Sequence, residues 1–419
     1  MRRKNKLKIT YFSWEYPPAI WGGLGTFVYE ITKKLVSKGN NVTVYALNYQ
    51  NKLKTLEKQN GLQIYRPKLV DLTSTYRLFA NQDLTSWKEN FKFFSDVINY
   101  NTSSASHLIN NMVKENKENY DIIDAHDWLG IIGGMTVKQE LDIPLMFHVH
   151  STETGRSLGG GSQTIKEIEL KGAQTADCII TVSYAMKEHL KNLGYPEKKI
   201  RVCWNGVDPN KYNPNNVTNA SKMALRKKYN IKDDETMLFF IGRLVTVKGI
   251  DNLMKAMPDV IKEYPKTKLV ILGIGDLEEE IQSYIKQTKL KDNIVLRAEF
   301  VSEEERILHY AAADIVILPS LYEPFGIVCT EAMSMGKPVV IGARGTNGMR
   351  EQVIASGNDQ CGVHINPYDP NDISWGIKQV LKTNDKGGKL GENGRERVLK
   401  EFTWDAVADR TINIYKEFL

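Results

Sequence analysis

Strand-length apolar runs alternate with helix-patterned segments along the whole chain, and no other feature limits its possible folds as much. The first half carries LKITYFSW (7–14), NVTVYAL (41–47), DIIDAHD (121–127), IPLMFHVH (143–150), DCIITVS (177–183) and KIRVCW (199–204). The second half carries TMLFFIG (236–242), TKLVILGIG (267–275), NIVLRA (293–298), DIVILPS (314–320) and PVVIGA (338–343). Runs this uniformly apolar suit strands buried on both faces, as in a parallel sheet covered by helices. Strand and helix in alternation then predict doubly wound α/β sheets with right-handed crossovers. At 419 residues the chain is too long for one ordinary core, so two such domains are expected. NGVDPNKYNPNN (205–216), rich in Asn, Pro and Gly, separates the two sets of runs and marks the boundary, giving domains 1–205 and 206–401.

Composition removes several classes of function. The apolar and charged fractions are those of a soluble globular protein. No run approaches the length of a membrane span. MRRKNKLK at the start is basic, but Glu15 interrupts the apolar segment behind it too early for a signal peptide, so a cytoplasmic protein is expected. Cys178, Cys203, Cys329 and Cys361 lie far apart in apolar surroundings and read as reduced core residues. The net charge of +6 is spread over lysine-rich helices without interleaved aromatics, which does not describe a nucleic-acid groove. The seven histidines do not pair with cysteines or carboxylates at ligand spacing, and no Asp-x-Asp element occurs, so no metal is expected.

The densest chemistry is in EPFGIVCTE (323–331). It follows the apolar strand DIVILPS, so it belongs at a strand's carboxyl end, where open α/β sheets place ligands. Phe325 and Gly326 open the helix IVCTEAMSM, and the free N–H groups there, Ile327 included, can take up a phosphate. Glu331 lies on the first turns of that helix, within reach of a ribose attached to the phosphate, and Glu323 sits just outside, where a sugar would be. A second loop, FIGRLVTVKGI (240–250), places Arg243 and Lys248 beyond another buried strand. Arginine forks onto two phosphate oxygens and lysine adds a compact charge, so the pair can neutralise a leaving diphosphate without a divalent ion. Gly273, in LGIGDLEEEI (272–281), ends a third strand on a loop suited to facing a nucleotide base.

With these two loops, WNGVDPNKYNP (204–214) and WEYPPAIWGGLG (14–25), nearly the whole chain resembles the family 4 retaining glycosyltransferases, in their glycogen and starch synthase-like branch. The resemblance implies the GT-B fold: two Rossmann-like domains facing across a cleft, acceptor side first and nucleotide-sugar side second, with the last segment (about 402–419) returning to the first domain. It also implies that Arg243 and Lys248 hold the donor diphosphate, Glu331 the ribose, and that Glu323 lies against the donor sugar. The expected substrates are ADP- or UDP-glucose and a glucan or other carbohydrate acceptor. No other cofactor is expected, and the oligomeric state stays open.

The first half supplies further candidates. Pro17 and Pro18 stiffen a loop that Gly22 and Gly23 free for close backbone approach just before a helix, suited to meeting the diphosphate. Glycogen and starch synthases usually carry a lysine two residues before the paired glycines. Here that position is Ile20. His150 ends its strand and shares a face with His148 by alternation, and the matching family histidine contacts the donor sugar. His126 and Asp127, in AHDW, end another strand, and in the family they lie near sugar and acceptor. Arg156 and the run Gly159 to Gly161 read as a flexible segment that orders when substrate binds. Residues 70–118 hold aromatics at mixed spacing and read as an insertion plus a helix, with no assigned role.

The resulting expectation is a metal-independent hexosyltransferase that moves glucose onto the non-reducing end of an α-1,4-glucan. The alternative is a family 4 enzyme acting on a small or lipid-linked acceptor. A 2-epimerase of the same fold lacks the two loops in this arrangement, a nicotinamide oxidoreductase would need a complete glycine fingerprint, and a non-catalytic glucan binder would not need the cationic clamp.

Overall fold

The computed structural model describes residues 6–288 and 290–419. They divide into two compact α/β units: the chain up to Val182 with Lys187–Trp204 and Trp404–Leu419, and Ser183–Met186 with Asn205–Thr403.

The first unit is built on an eight-stranded sheet of β1 (Lys8–Phe12), β2 (Asn41–Tyr45), β3 (Leu56–Gln59), β4 (Leu62–Tyr65), β5 (Ile122–His126), β6 (Leu145–Val149), β7 (Cys178–Thr181) and β8 (Ile200–Val202), in the order β3-β4-β2-β1-β5-β6-β7-β8. Every pairing is parallel except that of β3 with β4. This antiparallel hairpin departs from the sequence reading. Leu56–Gln59 reads LEKQ and is largely exposed, so the edge strand carries no apolar run to reveal it.

Between Thr73 and Glu115 the chain forms a series of short helices ending in a longer one, and its aromatics divide. Phe91 and Phe94 are buried, while Phe79 and Phe93 are exposed. Helix Trp404–Tyr415 belongs to this unit's core: Trp404, Val407, Ala408 and Tyr415 pack with Ile9, Tyr11 and Phe27, and Lys34 and Asp405 pair at 2.7 Å on the rim.

The second unit has an all-parallel sheet of β9 (Thr236–Ile241), β10 (Thr267–Leu272), β11 (Ile294–Arg297), β12 (Ile315–Leu318), β13 (Val339–Gly342) and β14 (Gly362–Ile365), in the order β11-β10-β9-β12-β13-β14. The order reverses between β9 and β12, a switch point of the kind that opens a ligand crevice at the strands' carboxyl ends. The short strand Gly362–Ile365 escapes sequence reading because GVHI offers only two β-branched residues. All four cysteines are free and buried. Among the described residues no helix is long and apolar enough to cross a membrane.

Candidate functional site

In the second unit, the loops after β9, β10 and β12 are knitted backbone to backbone. Gly242 N–H donates to Leu272 at 3.1 Å, Leu244 N–H to Ile274 at 2.8 Å, and Leu321 N–H to Val247 at 2.8 Å. Glycine is required where the chains touch. A Cβ on Gly273 would lie 1.8 Å from the Gly242 carbonyl oxygen, and one on Gly249 2.0 Å from that of Pro319. Gly249, at φ +67°, also turns the loop into helix Ile250–Glu263. Gly273 is thus a packing glycine that sets the height of the neighbouring loop, whatever else its own loop faces.

This framework brings Lys248 to Glu323. Their side chains form an ion pair, with Ser320 Oγ 3.5 Å from the same carboxylate oxygen. Glu323 is 8 % exposed, and its backbone is fixed on both sides: its N–H donates to Thr346 at 3.0 Å, and its carbonyl accepts from Gly348 at 2.8 Å. Arg243 stands exposed on the Lys248 loop.

Gly326, at φ +93°, caps helix Ile327–Ser334, and Gln352 Nε2 holds the Phe325 carbonyl at 2.6 Å. Phe325 is buried and serves as a packing anchor against Phe402. Ile327 is half-buried at the helix start. Glu331 is only 4 % exposed; its Oε2 accepts from Tyr310 Oη at 2.8 Å, and Arg306 lies 3.9 Å from Oε1. Neither partner is visible from the motif, because both come from a different helix, Glu303–Ala312.

In the first unit, Gly22 precedes helix Gly23–Ser37 in an extended conformation. The loop is closed by a residue that the motif reading passed over. Glu15 Oε2 accepts the N–H groups of Trp21 at 3.0 Å and Gly22 at 3.1 Å, so this carboxylate already occupies two of the donors offered to a phosphate. A Cβ on Gly22 would meet nothing within 4 Å, so the chain's own packing does not demand glycine there.

His126, at the end of β5, and His148 and His150, at the end of β6, form one buried cluster. The register pairs His126 with His148, and alternation puts His150 on the same face. His126 Nδ1 and His150 Nε2 are 2.9 Å apart, and the His148 and His150 rings stack at 4.6 Å with a 1° interplanar angle. Burial, followed by the neighbouring imidazoles, holds His126 and His150 well below the usual histidine pKa. Asp124 lies 3.5 Å from both His126 and His148. The histidines do therefore meet a carboxylate, contrary to the sequence reading, because parallel pairing of β5 and β6 gathers residues that sequence spacing keeps apart. The ligand atoms of the three histidines lie within 4.8 Å of one another. However, the facing nitrogens of His126 and His150 point at each other across a hydrogen bond, and their rings are only 18° from parallel, so the in-plane lone pairs do not converge as a tetrahedral metal requires.

Asp127 Oδ1 accepts the N–H groups of His150 at 2.7 Å and Ser151 at 3.3 Å. Burial pushes its pKa up to about 6, against the pull of Arg156 and these two donors. Its visible task is to fix the His150 backbone. Arg156 contacts Glu153 at 3.2 Å and Glu169 at 3.0 Å. Glu153 Oε1 also accepts the Ser162 N–H at 2.9 Å, so the segment read as flexible is laced to helix Gln163–Thr175. Sequence reading missed this because the organising residue, Glu169, lies beyond the glycine run on the face of that helix.

The description "Glycosyltransferase Family 4" matches residues 21–211, and "Glycosyl transferases group 1" matches residues 221–397. An uncharacterized glycosyltransferase of Methanocaldococcus jannaschii is 31 % identical over 418 residues, covering 98 % of both chains. The glycogen synthase of Mycobacterium tuberculosis is 27 % identical, covering 98 % of this chain and 94 % of that one. The sucrose-phosphate synthase structure from Thermosynechococcus elongatus has the same fold, with a TM-score of 0.76 at 23 % identity and 98 % coverage of each chain. Two parallel-sheet α/β units, matched across both halves to these models and relatives, place the chain in the family 4 glycosyltransferases with the GT-B fold, in their glycogen synthase-like branch.

Proposed function

We propose that the protein transfers glucose, with retention, from ADP- or UDP-glucose to the non-reducing end of an α-1,4-glucan, without a metal ion. The observation that carries this reading is the joining of Lys248 to Glu323 beside the Ile327–Ser334 helix N-terminus, at the carboxyl ends of β9 and β12. Arg243, Lys248 and the N–H groups from Gly326 onward form the anion side of the site, which stabilises charge on the departing diphosphate. Glu323 lies against the donor sugar as positive charge grows at its anomeric carbon. Glu331, oriented by Tyr310, receives the ribose hydroxyls, and Gly22 and Gly23 approach the phosphates. His126, Asp127 and Arg156 serve the sugar and acceptor side. The bond from the anomeric carbon to the phosphate oxygen breaks, and the acceptor oxygen bonds to the same face of that carbon. The acceptor's proton passes to the departing phosphate, so no further base is needed.

The test is nucleotide release from a panel of ADP- and UDP-linked sugars, with and without glycogen or maltooligosaccharides, in a chelator. Release that depends on glucan and survives chelation is expected. Release indifferent to every glucan would overturn the acceptor assignment and favour a small or lipid-linked acceptor.

The ion pair has a separate consequence. While Glu323 holds Lys248, the lysine is partly neutralised, and a diphosphate must compete for it. Glu323→Gln is therefore expected to bind free nucleoside diphosphate about fivefold more tightly while turning over sugar far more slowly. Calorimetric titration with ADP and UDP checks this; unchanged or weaker binding would separate the two residues functionally.

A further inference from the structure

Asp124 has no place in the machinery above, yet it is the hub of a buried network that ends on His150. Its Oδ2 accepts the Tyr415 hydroxyl proton and lies 3.5 Å from His148 Nδ1. Its Oδ1 faces His126 Nε2 at 3.5 Å, beyond a formed hydrogen bond, and both atoms are buried without a hydrogen-bond partner among the described residues. The other nitrogen of His126, Nδ1, meets His150 Nε2 at 2.9 Å. Tyr11 Oη lies 2.8 Å from Tyr415 Oη and completes the set. Asp124, His126 and His148 are all fully buried.

Proton positions follow from the inventory of donors and acceptors. An ionised carboxylate offers only lone pairs, so the nitrogen facing it carries the hydrogen. For a neutral His126 this places the proton on Nε2 and leaves Nδ1 bare. A bare nitrogen can only accept, so the 2.9 Å contact is donated by His150 through Nε2–H. His150 then keeps a lone pair on Nδ1. The opposite arrangement would set the bare Nε2 of His126 against Asp124 Oδ1, two acceptors face to face in a dry site. His148 obeys the same rule, with its proton on Nδ1 toward Asp124. Meanwhile Asp127 holds the His150 backbone, so backbone and ring are fixed by different carboxylates.

We propose that Asp124, acting through His126, locks His150 as its Nε2–H tautomer, so that His150 presents Nδ1 as a hydrogen-bond acceptor for a substrate hydroxyl. Asp124 and His126 are then positioning residues, and the group they select is a sugar O–H rather than a phosphate oxygen, which has no proton to give. The hydroxyl assignment rests on the sugar-side reading of His150. The tautomer assignment rests on the network alone.

The test is the tautomeric state of the histidine ring nitrogens by long-range proton–nitrogen correlation spectra of the labelled full chain, with His150 assigned by its loss in His150→Gln. In the wild type His150 is expected as Nε2–H; an Nδ1–H signature would overturn the proposal without any variant. In Asp124→Ala both tautomers are expected to populate, with sugar turnover falling by at least about tenfold; an unchanged single tautomer would show that Asp124 does not set it. Should Asp124→Ala fail to fold, His126→Phe removes the same link one step nearer His150, with the same expected mixture and the same overturning result. Tyr415→Phe removes a bond to the same carboxylate but keeps its charge, so it is expected to lower the melting temperature while leaving the tautomer as it was. Normal turnover in His150→Ala would sink the sugar-side reading and leave the tautomer result standing.

Discussion

Replacing Lys248 by alanine is expected to lower sugar turnover by about 10² to 10³-fold or more, with the fold retained. The difficult step is the accumulation of charge on a departing diphosphate, and Lys248 is the cation that the β9 loop brings to Glu323. The loop does not depend on the side chain for its shape, because Gly242, Leu244 and Gly249 hold it by backbone contacts. Stability does change slightly. Glu323 loses its ion-pair partner while nearly buried, at a cost of about 1–2 kcal/mol. Adding Glu323→Gln to Lys248→Ala should recover part of that stability and none of the activity. Thermal unfolding and initial rates on the same preparations check both halves. Near-normal rates in Lys248→Ala would remove the lysine from the proposed clamp.

The second large effect is on the framework itself. In Gly249→Ala, the methyl group would lie 2.0 Å from the Pro319 carbonyl oxygen and 2.9 Å from its carbon, at a φ of +67° that already disfavours an L side chain. Strain and overpacking add, so a loss of about 3 kcal/mol or more is expected, or roughly 6–12 °C in melting temperature for a unit of this size. Pro319 leads directly into the Glu323 loop, so the displaced backbone also separates Lys248 from Glu323. Gly336→Ala is the control: its φ is +68°, but its added Cβ would meet nothing within 4 Å, so only the backbone strain of about 1 kcal/mol is expected. Equal losses in the two variants, read by chemical or thermal unfolding, would mean that the close approach at Pro319 relaxes freely and that the loops are not held as described.

The strands that the sequence revealed are those it marks with continuous apolar runs, and for these the burial agrees: β9 and β12 are buried at every position. The three strands it concealed, Leu56–Gln59, Leu62–Tyr65 and Gly362–Ile365, are four residues each and lack that signature. The site residues divide in the same way. Gly326, Glu323 and Lys248 were legible because each stands next to a strand end within one short motif. Tyr310 and Glu169 were not, because each acts on a motif from outside it, and Glu15 stands inside its own motif but acts through a loop closure that spacing does not show.

What the sequence determined by itself was local: which segments are strands, which loops follow them, and therefore which residues stand at strand ends, since apolar runs and glycine turns act over a few neighbouring residues. What only the tertiary structure decided was the set of partners. Parallel register set His126 beside His148, alternation brought in His150, and the last helix delivered Tyr415 to Asp124 from 291 residues away. Proton positions and ion pairs depend on distances of about 3 Å between atoms. Packing of the folded chain sets those distances, and spacing along the sequence does not.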